Sequence, residues 1–162
     1  MDIRLLHNRI KNFDVISLMP KIIKDLETTI TDMNRDQLEA GFDSTGTKIS
    51  SYHPYADSTI ISKAEKGTLT NNNPDIVNLH DEGGFYDGMF LFDMERGIAI
   101  DSRDSKTDDL RKAFDDSILG LTKESLIELK PFLSPLLRIG IINKANGKGW
   151  SYRSSWETIK CK

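Results

Sequence analysis

The sequence has almost no cysteine and no long apolar run. Its one cysteine among 162 residues is Cys161, so an internal disulfide and a metal site built on several thiolates are excluded, and a reducing compartment is expected. No run approaches the roughly 18 apolar residues that a membrane-spanning helix needs. Residues 1–13 also lack an apolar stretch of signal-peptide length. We therefore expect synthesis in the cytoplasm and no membrane partner.

Sequence motifs for common chemistries are missing as well. Neither GxxxxGK[ST] nor GxGxxG occurs, so nucleotide binding has no support, and the HExxH, DxDxDG and nucleophile-elbow patterns are absent. His80, Asp81 and Glu82 are adjacent, but a metal site needs ligands on one side of a rigid element, and three consecutive residues lack that spacing. We predict a non-enzymatic chain with no catalytic residues, no metal and no cofactor.

The chain also lacks a strong net charge, which is −3 at neutral pH. This balance argues against nucleic acid as the main partner, because such proteins are usually basic. The charge is uneven, however. Residues 144–162 hold five basic residues and one acidic residue, which leaves a net charge of −7 on the rest of the chain. An acidic body with a basic, aromatic tail suggests that the tail docks on an acidic surface, such as a neighbouring copy.

The strongest pattern that is present lies near the N-terminus. Apolar residues recur there at the three- and four-residue steps of one helix face, which predicts a single amphipathic helix over residues 17–39. Ser17 is a candidate N-cap, and Gly41 a candidate stop. The stripe packs either on the protein's own core or on another subunit. Its members are Val15, Ile16, Met19, Ile22, Ile23, Leu26, Ile30 and Met33.

Residues 41–74 are rich in glycine, proline and asparagine and predict a long extended loop or arm. Loops of this length are uncommon in compact domains unless they are functional or disordered. This one carries four apolar residues that we name as interface candidates, Tyr52, Tyr55, Ile60 and Ile61. Two interpretations stay open: an arm that becomes ordered against a partner, or a surface loop folded back on the protein's own sheet.

The stretch from Asp75 to Ser102 predicts an antiparallel hairpin. The paired glycines at 83–84 suit a turn, because glycine adopts positive φ at little cost. Residues 85–92 then resemble a strand, in which Gly88 indicates a bulge or a close approach of the backbone. After a hairpin-length connection at 93–97, Ile98 to Ser102 form the returning strand.

The C-terminal third predicts two helices and a tail. Ser105 or Thr107 can cap a short helix that carries Leu110 and Phe114. Thr122 can cap a longer helix, in which the prolines at 131 and 135 predict a break or kink. The tail supplies further interface candidates, which pack on its own domain or on a partner. They are Trp150, Tyr152, Arg153, Trp156 and Lys160.

Together these elements predict an α+β fold. A long N-terminal helix packs on a small antiparallel sheet with C-terminal helices, and a long extended loop leaves the core. We predict one domain over residues 1–145, which contains the loop at 41–74, and a basic aromatic tail over 146–162. The stretch at 75–102 then fixes how that loop leaves the sheet.

The order of these parts resembles the virion-morphogenesis proteins of tailed bacteriophages. The similarity covers roughly residues 38–137 and is greatest to the tail-completion or head–tail connector group of crAss-like phages of Bacteroidetes, although Glu82-Gly83 stands where a Thr-Gly pair is expected. The motifs that carry it are Leu79-His80-Asp81-Glu82-Gly83-Gly84-Phe85, the segment Ser102 to Leu110 with the pattern SxDxKxxxL, and Ile118 to Thr122 with the sequence ILGLT.

The resemblance implies a structural subunit of a virion, synthesised in the host cytoplasm. It would form a homo-oligomeric ring in the neck or tail, next to portal, neck or tail proteins, with DNA passing through the lumen without specific binding. An alternative of a different class is a small hydrolase or a regulatory binding module that uses the turn at His80–Glu82 and has a pocket there.

Overall fold

The computed structural model describes residues 4, 7, 8, 11, 14–94 and 97–150. It confirms the α+β class, since the described residues form helices and a two-stranded antiparallel sheet. The chain forms two compact units, residues 1–26 with 129–162 and residues 27–128. In chain order the elements are α1 (Met19–Asp25), α2 (Glu27–Glu39), α3 (Asp57–Lys66), α4 (Gly84–Asp87), β1 (Met89–Met94), β2 (Gly97–Ser102), α5 (Thr107–Phe114) and α6 (Lys123–Ala145).

The single helix predicted over residues 17–39 is divided. A 3₁₀ turn at Ile16–Leu18 leads into α1, and the helix is interrupted at Leu26, whose φ of −98° and ψ of 11° are not helical. The proposed N-cap at Ser17 is wrong, because its Oγ donates to the carbonyl of Asp14 at 2.7 Å and does not accept from the helix.

The stop at Gly41 is confirmed. Gly41 has a φ of +80° and donates its N–H to the carbonyl of Leu38 at 2.8 Å. Phe42 donates to the carbonyl of Gln37 at 3.0 Å. This pair of hydrogen bonds is the Schellman motif, which satisfies the last carbonyls of α2.

The prediction that residues 41–74 form an extended loop is wrong. They contain an isolated bridge between Phe42 and Lys48, the helix α3, and 3₁₀ turns at Ile49–Ser51 and Thr70–Asn72. The helix α3 has an acidic residue in its first turn, basic residues in its last turn, and Gly67 at its end with a φ of +68°. These are ordinary helix signals, which the surrounding glycines and prolines obscured.

The predicted hairpin is confirmed over residues 89–102. β1 and β2 pair antiparallel, with a register that runs from Met89 opposite Ser102 to Met94 opposite Gly97. The strand begins later than the pattern suggested, however. Phe85 and Tyr86 lie in the one-turn helix α4, which is closed by a hydrogen bond from the Gly88 N–H to the Gly84 carbonyl at 2.9 Å.

The C-terminal helices are confirmed in position. α5 carries Leu110 and Phe114, but neither Ser105 nor Thr107 caps it, since Lys106 occupies the N-cap without a side-chain bond. Thr122 does cap α6, where its Oγ1 accepts from the Ser125 N–H at 3.1 Å.

Of the break or kink predicted near the two prolines, the break is wrong. α6 continues from Lys123 to Ala145 with Pro131 and Pro135 inside it. Leucines before, between and after the prolines are strong helix formers and sustain the helix there. None of the helices in the described part of the chain is long and apolar enough to cross a membrane.

The core of the unit 27–128 lies where α2 meets the hairpin and α5. The Glu27 carboxylate accepts from the Leu91 N–H at 2.8 Å, and the Arg35 Nε donates to the carbonyl of Tyr86 at 3.0 Å. The half of the predicted long helix that packs on the sheet is therefore α2. The buried cluster consists of Leu38, Ile49, Val77, Leu79, Phe85, Tyr86, Met89, Phe114 and Ile118.

Candidate functional site

A cavity of about 570 Å³ opens beside the turn at residues 80–84. Its walls come from α3, the segment 79–86, the turn 104–106 and α5. All of these elements belong to the unit 27–128. The volume is within the range of pockets that hold small organic ligands.

The segment that enters the cavity wall is fixed by Asn78, which is 1% exposed. Its Nδ2 donates to the carbonyl of Thr68 at 2.9 Å and to the hydroxyl of Thr70 at 2.8 Å. Its Oδ1 accepts from the Tyr55 hydroxyl at 3.3 Å and from the His80 N–H at 3.1 Å. Because one buried amide joins three segments, the turn after it has little freedom to move.

Two tyrosines strengthen this network. The Tyr86 hydroxyl donates to the carbonyl of Asn78, and the Tyr55 hydroxyl accepts from the Leu79 N–H at 3.0 Å. Burial raises the pKa of Tyr55 to about 12. Burial also raises the pKa of Tyr86, with a smaller contribution from the carboxylate of Glu39. Both phenols therefore stay protonated at neutral pH and act as structural groups, not as bases.

His80 is held between an acid and an aromatic ring. Its Nδ1 lies 3.1 Å from the Glu39 Oε1, and its ring stacks on Tyr86 with centroids 5.3 Å apart. The second Glu39 oxygen accepts from the Thr70 hydroxyl at 3.0 Å. Among the residues that the structure describes, no hydroxyl or thiol bonds to the remaining ring nitrogen, Nε2.

Lys63 lies in the cavity wall and is 5% exposed. Its Nζ donates to the carbonyl of His80 and lies 5.2 Å from the centre of the Tyr55 ring. Burial lowers the pKa of Lys63, while the carboxylates of Asp81 and Glu39 oppose that shift. A buried ammonium is uncommon in proteins, because removal of its charge from water is costly.

The rim of the cavity carries an exposed ion-pair cluster around Asp81. Its carboxylate lies 2.6 Å from the Lys66 Nζ and 3.2 Å from the Lys106 Nζ. Hydrogen bonds from these two lysines lower the pKa of Asp81, and the bond to Asp81 raises the pKa of Lys66. Exposed pairs of this kind contribute little to stability, but they fix the position of the loop that borders the cavity.

The interface candidates of the arm separate into two groups. Tyr52 and Ile61 are exposed, with Ile61 at 60%, and the Tyr52 hydroxyl donates to the Asp43 carboxylate at 3.2 Å. Ile60 is half-buried on α3. Tyr55 packs against the core and lines the cavity.

The tail candidates are only partly described. The Trp150 Nε1 donates to the Asp25 carboxylate at 2.9 Å, and burial raises the pKa of that carboxyl group. Trp150 thus has a polar partner within its own unit, residues 1–26 with 129–162. The other tail candidates lie outside the described residues: Tyr152, Arg153, Trp156 and Lys160.

Sequence reasoning named the turn His80–Glu82 but missed Lys63 and Asn78. If α3 had been recognised as a helix, Lys63 would have been placed on the same side of it as Ile60, which lies three residues earlier. No local sequence pattern marks Asn78. Its importance comes from its hydrogen bonds to residues outside its own segment.

Comparisons of the chain with models of protein families, with curated proteins and with solved structures give no match. Within the described ranges 14–94 and 97–150, with residues 4, 7, 8 and 11, no group of three or more His, Cys, Asp or Glu side chains is placed to hold a metal ion.

Proposed function

We propose that this chain is a non-enzymatic structural subunit of a bacteriophage virion, part of a ring at the head–tail connector or tail-completion position. The resemblance of residues 38–137 to virion-morphogenesis proteins supports the class of protein. The observation that carries the proposal is the set of exposed apolar side chains on α6, because a subunit that assembles needs apolar area that its own fold leaves uncovered.

These side chains belong to one helix and one unit. In the part of α6 that belongs to the unit 1–26 with 129–162, Leu129 and Leu136 are buried. Phe132, Ile141 and Ile142 are exposed at 45%, 37% and 48%. Because α6 bears apolar residues beyond the stripe that its own fold buries, it suits contact with a second protein surface.

The proposed assembly places copies of the chain head to tail, since heterologous contacts of this kind close into rings. The basic tail would pair with the acidic body of a neighbouring copy, and the exposed Tyr52 and Ile61 would add apolar contacts. Portal, neck or tail proteins would flank the ring. DNA would pass through the lumen without specific binding, kept from the wall by like charge.

The experiment measures the mass of the purified protein over a range of concentrations by native mass spectrometry and sedimentation. We expect a discrete oligomer. In the double variant Ile141→Gln/Ile142→Gln the oligomer should dissociate at least about tenfold more readily, because each isoleucine buried at a contact contributes about 1.5–3 kcal/mol. The matched control is Lys130→Gln, also exposed on α6, which should assemble as the wild type does.

Two results would contradict the proposal. One is a wild-type protein that stays monomeric at every concentration and is absent from purified virions. The other is a double variant that assembles with unchanged mass and affinity while its circular dichroism and unfolding midpoint match the wild type.

A second candidate function is a small regulatory binding module that uses the turn at His80–Glu82. The observation that favours it is the 570 Å³ cavity beside that turn. Binding is favoured over hydrolysis because the described residues place no nucleophile on His80. Alanine variants at His80 and Asp81 should weaken ligand binding, and a ligand that binds both variants with wild-type affinity would remove this candidate.

A further inference from the structure

We infer that the cavity beside α3 binds an apolar molecule or chain end that bears a carboxylate, and that the carboxylate accepts hydrogen bonds from the Lys63 Nζ. The inference rests on the second candidate function and specifies its ligand. It depends on the surroundings of Lys63, on the apolar wall opposite, and on the way the nearby acids are already paired.

The ammonium of Lys63 has hydrogen-bonding capacity that the protein does not use. It has three N–H donors, and one donates to the carbonyl of His80. Among the described residues, no carboxylate lies within ion-pair distance of it. Because the side chain is 5% exposed and lines the cavity, a ligand carboxylate in that cavity would be a direct ion-pair partner, which the described residues do not provide.

Of the acids near the cavity, Asp81, Glu39 and Asp104 are already bound to other groups, and Glu82 is an exposed residue of its lining. Asp81 holds Lys66 and Lys106, and Glu39 holds His80 together with the Thr70 hydroxyl. The Asp104 carboxylate accepts from the Lys106 backbone N–H at 2.7 Å. Pairing of Lys63 with any of the three bound carboxylates would break an existing interaction, whereas pairing with a ligand carboxylate would not.

The rest of the wall selects an apolar body for the ligand. Leu79, Phe85, Leu110 and Phe114 line the cavity, and all but the half-buried Leu110 belong to the buried core. Apolar ligand atoms placed against these side chains would be removed from water, which favours binding. The face of Tyr55, which lies near the Lys63 Nζ, adds an aromatic surface on the charged side. An aromatic or branched aliphatic acid combines both requirements.

The experiment is an amide-shift NMR titration of the uniformly labelled full chain with 3-phenylpropionate and with its neutral amide. We expect saturable shifts for residues 58–66, 79–86 and 104–114. The amide should bind at least about tenfold more weakly, because a hydrogen bond to a charged group is about twice as strong as a neutral one. A tripeptide that ends in phenylalanine, tested with a free and an amidated C-terminus, distinguishes a chain end from a free acid as the preferred source.

The variant Lys63→Met keeps the length of the side chain and removes the charge. It should weaken binding of 3-phenylpropionate by about 10- to 100-fold. Binding should be unchanged in Lys48→Met, the matched control at an exposed lysine of the same unit. Because Lys63→Met also leaves the His80 carbonyl without its donor, its unfolding midpoint and amide spectrum are recorded alongside.

A second measurement uses the wild type alone, so it does not depend on the folding of a variant. Trace acetylation followed by peptide mapping gives the reactivity of each lysine, and 3-phenylpropionate should slow acetylation at Lys63 but not at Lys48.

Equal binding of acid and amide would overturn the carboxylate assignment and leave a binding module standing. Absence of saturable shifts with every probe, or unchanged acetylation of Lys63, would overturn the inference itself. Failure of the binding-module function is recognised separately, by intact binding in the His80 and Asp81 alanine variants.

Discussion

At the scale of single residues, buried polar side chains organise the unit 27–128. Asn78 joins three segments beneath the cavity, and Lys63 places a cation in its wall. Asp43 likewise organises the loop after α2 through its hydrogen bonds. Its Oδ1 accepts from the Thr45 N–H at 2.9 Å and from the Thr47 N–H at 3.0 Å, and its Oδ2 accepts from the Tyr52 hydroxyl.

We predict that Asp43→Ala lowers the free energy of unfolding by about 2–3 kcal/mol, because it removes a buried carboxylate that accepts several hydrogen bonds of the loop. Urea denaturation at neutral pH measures the change. The control is Asp75→Ala, at an exposed aspartate of the same unit, which should alter stability by less than about 0.5 kcal/mol. Equal effects of the two substitutions would show that the hydrogen bonds of Asp43 do not stabilise the loop.

At the scale of elements, glycine determines how the hairpin packs on α4. A Cβ added at Gly88 would lie 2.6 Å from the Ser102 Oγ and 3.0 Å from both the Asp104 backbone nitrogen and the Gly84 carbonyl oxygen. The close backbone approach that the sequence predicted at Gly88 is therefore confirmed. Backbone atoms cannot turn aside as a flexible side chain can, so a larger residue has to displace the whole turn.

We predict that Gly88→Ala destabilises the protein by about 1–3 kcal/mol, the usual cost of added volume in a tightly packed site. Thermal and urea unfolding measure it. Gly149→Ala is the matched control, because nothing lies within 4 Å of an added Cβ there. A Gly88→Ala protein as stable as the control variant would contradict the packing of the hairpin against α4.

At the scale of the whole molecule, the two buried tyrosines set how stability depends on alkaline pH. The pKa of Tyr55 is 10.0 when unperturbed and about 12 in the fold, so the folded protein favours the neutral phenol. Its contribution to stability is fully present below pH 10 and is lost as the pH rises towards 12. The raised pKa of Tyr86 acts in the same direction. The lowered pKa of Lys63 acts in the opposite direction. Burial of its charged form destabilises the fold at lower pH, and this cost disappears as the pH rises to the ordinary pKa of 10.5.

We predict that the free energy of unfolding falls between pH 10 and pH 12, and that the fall is smaller in Tyr55→Phe. Urea denaturation at a series of pH values measures both slopes. Burial raises the pKa of the more exposed Tyr52 as well, and Tyr52→Phe serves as the comparison, which should remove a smaller share of the fall than Tyr55→Phe. Parallel slopes for the wild type and Tyr55→Phe would show that ionisation of Tyr55 is not linked to unfolding.

The sequence by itself determined the features that depend on neighbouring residues. Periodicity and turn chemistry predicted a hairpin over 85–102, of which the structure confirms 89–102, together with α5, the stop at Gly41 and the Thr122 cap, and through them the α+β class. These signals are local, because a cap or a hairpin turn is made by residues a few positions apart.

Tertiary structure alone decided the rest. It placed Phe85 in a one-turn helix, interrupted the N-terminal helix at Leu26, and brought the Lys63 ammonium against the carbonyl of His80. The contact of Lys63 joins residues 17 positions apart, the Phe85 carbonyl accepts from the distant Ser102 Oγ, and Asn78, with no local pattern around it, holds the cavity wall through such bonds. The free energies of such contacts exceed local helix and strand propensities of a few tenths of a kcal/mol per residue. Distant contacts therefore override the structure that a short stretch of sequence predicts.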